Sequence, residues 1–577
     1  MWNWFGKRTG VLALILILSA VVYSNALWNP FHFDDAHHIQ RNSYLTDIKN
    51  IPSYFVDMRS FSAAEGHSGH YRPLLLASHA LNYFAGGLDP FGYHVVNLLF
   101  HSGSAFLIFL IIVQLLKKEE GAFFIAISAS IFFAVNPFNA EVVNYISARS
   151  SVMCSFFYLL SFYCWVMHRE NPPLSPFNKG GLRGICYMAS FISFLLAILT
   201  KEIAITLPVM IWLYDVYFVH VEVNGRMEWL KLQVRKIYVY LPFVVFVVIP
   251  YFMIRSLVIT GTTVLPEPDG SYTIPIRGFI ENLLTQPKVL LKYIQLFFLP
   301  FNLTVEHDIT ESHSILDLSV IIPAGLILAL VCLAVWLFRK NDNTLMVISF
   351  FMAWFFVVQL PTTIIPLYAI LQENRGYLAV ISLAVFFGIA LYKMTSVNFI
   401  RTKAGRYSPV IPVVILALIV LVYSAGTIDR NRVWADDVTL WSDAVSKSPQ
   451  APRAHHNLAL AFNEAGHLDS AIEELRKVIE LEPTLIMAYY NLGNIYNKRG
   501  MIKAAIAEYG KALEIDPFFY QAHNNIGMLY WRSGEVDQAI AHLKKAYQIK
   551  PGYGLALKNL EKIYKDLSVR EKGANGN

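Results

Sequence analysis

Long apolar runs alternate with short polar segments over the first three quarters of the chain. A helix needs about 20 apolar residues to cross the hydrocarbon core of a bilayer, so runs of this length predict transmembrane spans. A shorter run at 288–303 carries two lysines and a proline and is predicted to be re-entrant or interfacial. About eleven spans are predicted, at residues 10–27, 91–116, 121–137, 150–168, 185–200, 203–219, 237–258, 315–338, 342–361, 376–393 and 409–426.

The pattern changes near residue 427, where the chain becomes polar and repeats every 34 residues. The change predicts two domains, a polytopic membrane domain over 1–426 and a second domain over 427–577. Apolar positions predict one helix of each repeat, alanines let a second helix pack closely, glycine fits the turn, and proline ends the repeat. The residues that keep the period include Pro449, Pro483, Pro517 and Pro551, Asn457, Asn491, Asn525 and Asn559, Gly466, Gly500 and Gly534, and Ala471, Ala505 and Ala539.

This second domain resembles the tetratricopeptide repeat (TPR), a helical hairpin that stacks into a solenoid. Three full repeats are predicted at 452–485, 486–519 and 520–553, after a half repeat at 432–451 and before a capping helix at 554–566. Most of the periodic residues are expected to serve solenoid packing. A stack of three repeats with a cap should fold alone, and solenoids of this kind usually bind peptides or proteins.

Composition supports the bilayer as the solvent of the first domain. Hydrophobic residues make up 55% of the 577 residues and charged residues only 15%, whereas soluble domains carry about 25% charge. Disorder, collagen and a secreted disulfide scaffold are excluded for the bulk of the chain. The four cysteines all fall in apolar segments, which favours a packing role.

The net charge of +6 does not indicate a nucleic-acid partner, because lysines and arginines form short clusters between apolar runs. All clusters fall on one side of the predicted spans, which is the cytoplasmic side by the positive-inside rule. The N-terminus is then cytoplasmic, the first span is an uncleaved anchor, and the repeats are extracytoplasmic. The clusters include Lys7 and Arg8, Lys117 and Lys118, Arg169 and Arg183, Arg226 to Lys236, Arg339 and Lys340, and Lys393 to Arg406.

Asp34 and Asp35 lie just after the first predicted span, within a run that also holds three histidines. Two like charges so close raise one pKa, which suits a general base. The alternative is a helix cap or a solvated turn. The histidines could suggest a metal, but no zinc-type spacing is present, and no metal site is predicted.

Further ionisable residues gather on the predicted outer side, where charge close to the bilayer is costly and tends to be functional. A structural ion pair, for example between Lys201 and Glu202, is the alternative for these residues. Together they provide carboxylates and cations on one face, which suits a reaction that needs a base and an anion clamp. The residues are Arg72, Glu141, Arg149, Lys201, Glu202, Glu373 and Arg375.

Taken in order, these segments resemble the transmembrane-and-TPR O-mannosyltransferase-like proteins of the GT-C glycosyltransferase superfamily. The similarity extends over nearly the whole chain, and the short array of repeats resembles a bacterial-type member. The segments that carry it are Phe33-Asp34-Asp35, Tyr71-Arg72-Pro73-Leu74, Asn82-Tyr83, Gly86 to His94, Asn136-Pro137 with Glu141, Lys201-Glu202, Glu373-x-Arg375 near Tyr377, and Asn431 to Trp434.

The resemblance implies an inverting transferase that moves mannose or another hexose from a polyprenyl-phosphate donor to an acceptor hydroxyl. The acceptor would be a protein, and the reaction would take place at the extracytoplasmic face. Asp34 or Asp35 would be the base. Arg72, Glu141, Lys201, Glu202, Glu373 and Arg375 would bind the donor phosphate and the substrates. No metal or cofactor is implied beyond the lipid-linked donor. The repeats would bind the acceptor or a partner, and a bacterial inner membrane would be the location.

Two other functions remain open from the sequence. A membrane-anchored TPR scaffold for envelope proteins would account for the repeats but not for so many spans. A lipid or polysaccharide transporter would need polar residues scattered towards both sides of the membrane, whereas the ionisable residues here gather on one side.

Overall fold

The structure, a computed structural model, describes residues 2–57, 60–61, 71–170, 182–219, 237–261, 278–340, 342–367, 369–396 and 410–574. Every regular element within these ranges is helical, which confirms the predicted all-α class. Two compact units are present, and each is described by itself. The first comprises the described residues up to 261, 278–305 and those of 309–436, and the second comprises 306–308 and 437–574.

The α-helices of the first unit match the predicted apolar runs in order. Short 3-10 or π turns connect several of them, including Glu202–Thr206 before α8 and Val244–Val248 before α10. The helices are α1 (Trp2–Val22), α2 (Pro73–Gly86), α3 (Pro90–Leu115), α4 (Ala122–Ala134), α5 (Glu141–Asn144), α6 (Arg149–Glu170), α7 (Leu182–Ile198), α8 (Leu207–Phe218), α9 (Ile237–Phe243), α10 (Ile249–Gly261), α11 (Phe279–Phe298), α12 (Leu318–Phe338), α13 (Asn343–Ile364), α14 (Glu373–Gly376), α15 (Ile381–Ser396) and α16 (Val410–Val433).

Six helices in the described residues are long and apolar enough to cross a membrane. The pair of Ala122–Ala134 and Pro137–Asn144 would be a seventh if its 51° bend lies within one span. Three apolar helices are shorter, at Arg8–Val22, Arg183–Ile198 and Ile381–Met394. Length and composition alone therefore give fewer spans than the eleven predicted.

Two predicted segments differ in length from the helices observed. The predicted span at 203–219 contains a 3-10 turn followed by α8, which has only 12 residues. The predicted re-entrant segment at 288–303 is the second half of α11, which begins at Phe279 and has 20 residues. Polar side chains such as Asn282 and Gln286 are buried in α11, so the helix was not recognisable as an apolar run.

The first unit extends beyond the domain boundary predicted at residue 426. Helix α16 continues to Val433, and the second unit begins at Asp437. The apolar run ends at Gly426, but Thr427 and Asn431 are fully buried and make hydrogen bonds inside the first unit. Polarity therefore changed about ten residues before the compact unit ended.

The second unit contains the half repeat from Asp437 onward, the three full repeats and the cap. Gly466, Gly500 and Gly534 have positive φ angles of 84°, 74° and 83° in the turns between paired helices, a conformation that favours glycine. The periodic alanines of the second helices are fully buried, as the repeat pattern predicted. The helices are α17 (Asp437–Lys447), α18 (Pro452–Glu464), α19 (Leu468–Leu481), α20 (Ile486–Lys498), α21 (Ile502–Ile515), α22 (Tyr520–Arg532), α23 (Val536–Ile549) and α24 (Gly554–Ala574).

Candidate active site

The Asp34–Asp35 pair lies in a tight turn after α1. Phe33 has a φ of 48°, a left-handed conformation that is uncommon for a bulky residue and costs on the order of 1 kcal/mol or more. A π-helical turn at Ala36–Gln40 follows the pair directly. This backbone gives the two neighbouring carboxylates different surroundings.

Asp35 is fully buried and acts as an acceptor for donors of the first unit. Its carboxylate accepts hydrogen bonds from the backbone N–H of His32 (3.1 Å), from the backbone N–H of Ser147 (2.8 Å) and from the Ser147 hydroxyl. These contacts tie the turn to the segment before α6.

Asp34 faces outward, with 54% of its side chain exposed. The Tyr145 hydroxyl donates to Asp34 Oδ2 (2.7 Å), and His37 Nε2 lies 3.3 Å from Asp34 Oδ1. Asp34 is therefore the carboxylate of the pair that a substrate can reach.

The pKa values of the pair move in opposite directions. Burial raises the pKa of Asp35 to about 6. For Asp34, loss of hydration would raise the pKa, but the hydrogen bonds from His37 and Tyr145 and the nearby His38 outweigh it and hold the pKa well below its usual range. The raised pKa thus results from burial rather than from repulsion between neighbours.

Aromatic rings surround the Asp34 turn. The Tyr145 ring stacks on Trp434, with ring centroids 6.1 Å apart and an angle of 17° between planes. Phe33 meets both rings edge to face. Trp434 is fully buried, and its backbone carbonyl lies 2.9 Å from His32 Nε2. The end of the first unit therefore helps to hold the turn.

Glu141 and Glu373 are both buried and hold backbone elements in place. Asn374 donates to Glu141 through its backbone N–H (3.1 Å) and its side-chain amide (2.6 Å). Glu373 Oε1 accepts from the backbone N–H of Thr304 (2.8 Å). These contacts join α5, α14 and the segment after α11.

A cluster of cations lies at the turn between α7 and α8. Arg72 forms an ion pair with Glu202 (3.0 Å), and the Lys201 ammonium donates to the Ser151 hydroxyl (2.6 Å). Burial, which is the largest cause, and the positive charges of Arg72 and Arg375 together lower the pKa of Lys201 to about 7. Three cations therefore share one region in which an anion would be stabilised.

Arg375 also borders a polar cleft between α11 and the end of α13. Its guanidinium donates to the Ala369 carbonyl (2.7 Å). Gln359 is 1% exposed in this cleft. The lining residues are Asn282, Gln286, Val289, Leu290, Tyr293, Gln359, Thr362, Leu367, Ala369, Ile370 and Arg375.

Arg149 is fully buried and has a structural environment. Its guanidinium donates to the side chains of Asn97 (2.7 Å) and Asn82 (2.6 Å) and to the Tyr93 carbonyl (2.9 Å). The Tyr93 hydroxyl in turn donates to the carbonyl of Gly87 (3.2 Å). The segment from Asn82 to His94, which contributed to the sequence resemblance, thus shapes the loop around α2 and α3.

The segment 141–151 connects the predicted site residues that lie far apart in the sequence. Tyr145 and Ser147 contact the Asp34–Asp35 pair, Glu141 contacts Asn374, and Ser151 contacts Lys201. The structure brings Arg72, Lys201 and Glu202 together as one cluster, and Asp34 and Asp35 as another. Tyr145, Ser147 and Ser151 were not identified from the sequence, because a lone hydroxyl carries no spacing signal.

The described residues contain no group of three His, Cys, Asp or Glu side chains arranged to hold a metal ion. His37 and His38, which suggested such a group, contact Asp34 and the Phe61 ring.

Models of the TPR repeat and of the tetratricopeptide repeat match residues 460–500, 493–534 and 520–553. The predicted repeats are thus confirmed for this region. Among solved structures, a crystal structure of MamA covers 26% of this chain and 85% of its own, with 24% identity and a TM-score of 0.22.

Curated relatives carry the name protein O-mannosyl-transferase. Tmtc1 of Drosophila melanogaster is 31% identical over 212 residues, which are 36% of this chain and 23% of the relative. The tmtc2 protein of Xenopus laevis is 32% identical over 209 residues, 35% of this chain and 23% of the relative. The matched region thus spans about a quarter of the length of these relatives.

A longer match is found with protein O-mannosyl-transferase F38B6.6 of Caenorhabditis elegans. It is 24% identical over 488 residues, which are 83% of this chain and 64% of the relative. These relatives confirm the resemblance to O-mannosyltransferase-like proteins that the sequence motifs predicted.

Proposed function

We propose that the chain is an inverting membrane glycosyltransferase that moves a hexose, mannose by analogy with its relatives, from a polyprenyl-phosphate donor to a protein hydroxyl. The names of the curated relatives support transfer of mannose to protein. The accessible carboxylate of Asp34, beside the fixed carboxylate of Asp35, is the observation that carries the proposal.

Asp34 is the proposed base because its carboxylate is the accessible one, although the raised pKa that the acidic pair predicted belongs to the buried Asp35. An inverting displacement needs one carboxylate that meets the acceptor hydroxyl, and the other groups at the site can hold that carboxylate in place. Asp34 is open on one side and held by Tyr145 and His37 on the other. Asp35 is proposed to fix the turn through Ser147 rather than to react.

Arg72, Lys201 and Arg375 are proposed to stabilise the phosphate of the donor and of the leaving lipid. Lys201 has a pKa near 7 in the absence of an anion. A phosphate would favour its charged form, and a charge-assisted hydrogen bond to phosphate is stronger than a neutral one. Glu141, Glu202 and Glu373 would keep the surrounding elements and Arg72 in position through the contacts described above.

The proposed step balances without a metal or cofactor. The acceptor hydroxyl loses its proton to Asp34 as its oxygen forms a bond to the anomeric carbon. The bond between that carbon and the donor phosphate oxygen breaks, and polyprenyl phosphate leaves with the electron pair. Attack opposite the leaving group inverts the anomeric configuration, and developing phosphate charge is met by the cations.

The TPR unit is proposed to bind the protein acceptor or a partner, because helical solenoids present extended binding surfaces. The site is proposed to face the extracytoplasmic side of the membrane that holds the chain, a bacterial inner membrane by the resemblance. The outer-loop position of Asp34 and the distribution of basic clusters support this orientation.

The experiment is a transfer assay with the purified full-length chain and polyprenyl-phosphate mannose or glucose. Mass spectrometry should detect a hexose on an added acceptor protein, and Asp34→Asn should abolish the product. Lys340→Gln, which changes a lysine in the cluster after α12 on the predicted cytoplasmic side, is the matched control. Absence of transfer from every lipid donor, with intact binding of a partner by the repeats, would favour the scaffold function instead.

A further inference from the structure

Tyr145 is a hydrogen-bond partner of the exposed Asp34 carboxylate. Its hydroxyl donates to Asp34 Oδ2 at 2.7 Å, while its ring is held between Trp434 and Phe33. The hydroxyl therefore approaches the carboxylate from a ring whose position is restricted by aromatic packing. A donor fixed in this way orients its acceptor more strongly than a mobile surface side chain does.

We infer that Tyr145 is a positioning residue for the transfer reaction, holding the Asp34 carboxylate in its reactive orientation and charge state. The inference rests on the proposed function, in which Asp34 is the base. Tyr145 itself contacts no reacting atom in this scheme. Its role would be to stabilise the anion of Asp34 before the acceptor arrives.

Several charged and titratable groups surround these two side chains. Asp34 is next to His37 and His38, and Tyr145 lies near Asp34, Asp35 and Glu141. Burial and the nearby carboxylates raise the pKa of the Tyr145 phenol well above its ordinary value. Tyr145 therefore stays protonated at neutral pH and can act on Asp34 only as a donor.

His37 also contacts Asp34, but the two contacts differ in rigidity. The His37 side chain is 34% exposed, whereas Tyr145 is packed against two rings. Removal of the Tyr145 hydroxyl is therefore the more direct test.

Tyr145→Phe removes the hydroxyl and keeps the ring that stacks on Trp434. Tyr54→Phe is the matched control, because it also removes one tyrosine hydroxyl. In the wild type that hydroxyl donates to the carbonyl of Tyr44 (2.8 Å) and not to Asp34. Both variants should insert and fold, which thermal unfolding in detergent would check.

The first measurement does not need activity. Carbodiimide reacts with protonated carboxyl groups, so labelling of the Asp34 peptide, followed by mass spectrometry, reports the protonation of Asp34. In Tyr145→Phe the labelling should begin at a higher pH than in the wild type and in Tyr54→Phe. Equal labelling curves for all three proteins would overturn the inference, whatever the reaction of the protein is.

The second measurement is the transfer assay. Loss of the Tyr145 hydroxyl should let the Asp34 carboxylate leave its reactive orientation, so kcat of Tyr145→Phe should fall roughly 10- to 100-fold. The KM for the donor should stay within about twofold, since Tyr145 does not contact the cation cluster. Activity should fall further at acidic pH in this variant than in the wild type.

The outcomes separate the inference from the proposed function. Full kcat and an unchanged pH profile in Tyr145→Phe, with Asp34→Asn inactive, would overturn the positioning role and leave the transferase in place. A shifted labelling curve for Tyr145→Phe, together with no transfer by the wild type, would support the effect of Tyr145 on Asp34 but overturn the proposed reaction. Tyr145 would then have no role in catalysis.

Discussion

Adjacent carboxylates at Asp34 and Asp35 should respond differently to the same substitution. Asp34→Asn keeps the outward position and removes the proposed base, so transfer should fall about 10²- to 10⁴-fold with little change in unfolding temperature. Asp35→Asn places an amide N–H₂ among three hydrogen-bond donors and should destabilise the fold by about 1–3 kcal/mol. A transfer assay and thermal unfolding of both variants test this.

The opposite result would be informative. If Asp35→Asn unfolds like the wild type but loses transfer, while Asp34→Asn stays active, then the buried carboxylate is the base. Glu141 would be examined next if both variants stay active, because it is the other carboxylate of the segment 141–151.

Another residue-scale prediction concerns the repeats. His455 Nδ1 lies 2.6 Å from Glu474 Oε2, and this contact raises the pKa of His455 above its ordinary value. The stabilisation of the folded repeats by this contact is fully present below the pKa of His455 in the unfolded chain, about 6.5. It is lost as the pH rises through the higher pKa that His455 has in the folded chain. In the repeat unit from Asp437 onward, the stability difference between wild type and His455→Gln should shrink between pH 6 and 9.

His523 supplies a control in the same unit. Its ring lies beside His542, with 3.0 Å between their Nδ1 atoms, and burial lowers the pKa of His523. The unfolding free energy of His523→Gln, relative to that of the wild type, should therefore be higher at low pH than at high pH. Parallel pH dependence in the two histidine variants, measured by chemical unfolding, would contradict the assigned electrostatics.

The sequence identified the acidic pair as a candidate but could not separate its members. The contacts that differ between Asp34 and Asp35 come from Tyr145 and Ser147, more than 100 residues away. Local spacing predicts that neighbouring side chains diverge, but only tertiary packing determines which one is buried. The same limit explains why Ser151 was not predicted as the partner of Lys201.

At the scale of elements, helix positions followed from apolar runs and the 34-residue period, because both patterns arise from burial along the chain. Element ends were less predictable. Helix α16 continues beyond the apolar run into a polar segment in which Thr427 and Asn431 are buried and hydrogen-bonded. A hydropathy pattern places the boundary where polarity changes rather than where the compact unit ends.

This difference predicts the result of two truncations. A chain that ends after Asp436 keeps Asn431, which bonds Asn144 and Asn25, and keeps Trp434 beside Tyr145. A chain that ends after Gly426 lacks these contacts. The longer truncation should retain the unfolding temperature of the first unit, whereas the shorter should lose several degrees or fail to insert. Equal stability of both in detergent would show that the segment 427–436 does not hold the site.

At the scale of the whole membrane unit, α8 determines how the chain crosses the bilayer. With 12 residues, α8 is too short to count as a membrane span by itself. Together with the residues just before it, however, it contacts α6 along most of the length of α6. Lys201 bonds Ser151 at the start of α6, Thr206 contacts Tyr158 (3.1 Å) at its middle, and Asp215 pairs with Arg169 (2.8 Å) near its end. The segment from Lys201 to Asp215 therefore runs parallel to α6.

The lengths of the two segments agree with a crossing. A 3-10 turn rises about 2.0 Å per residue and an α-helix about 1.5 Å, so residues 202–215 cover about 23 Å, against about 27 Å for α6 between Ser151 and Arg169. The 3-10 turn extends a segment that would be too short as α-helix alone. If α8, the bent pair and the three shorter helices each cross the membrane, they and the six long helices make the eleven spans predicted from the sequence.

An odd number of spans places the two ends of the membrane unit on opposite sides. By the positive-inside rule, the basic clusters predict that Arg169 and the N-terminus are cytoplasmic, and the Asp215–Arg169 pair then predicts the same side for the end of α8. A reporter enzyme that is active only outside the cytoplasm should therefore be inactive when fused after Val219 and active when fused after Asn577. A reporter active after Val219 would mean that α8 returns to the outer side, and the repeats would then lie in the cytoplasm, away from an outward-facing Asp34.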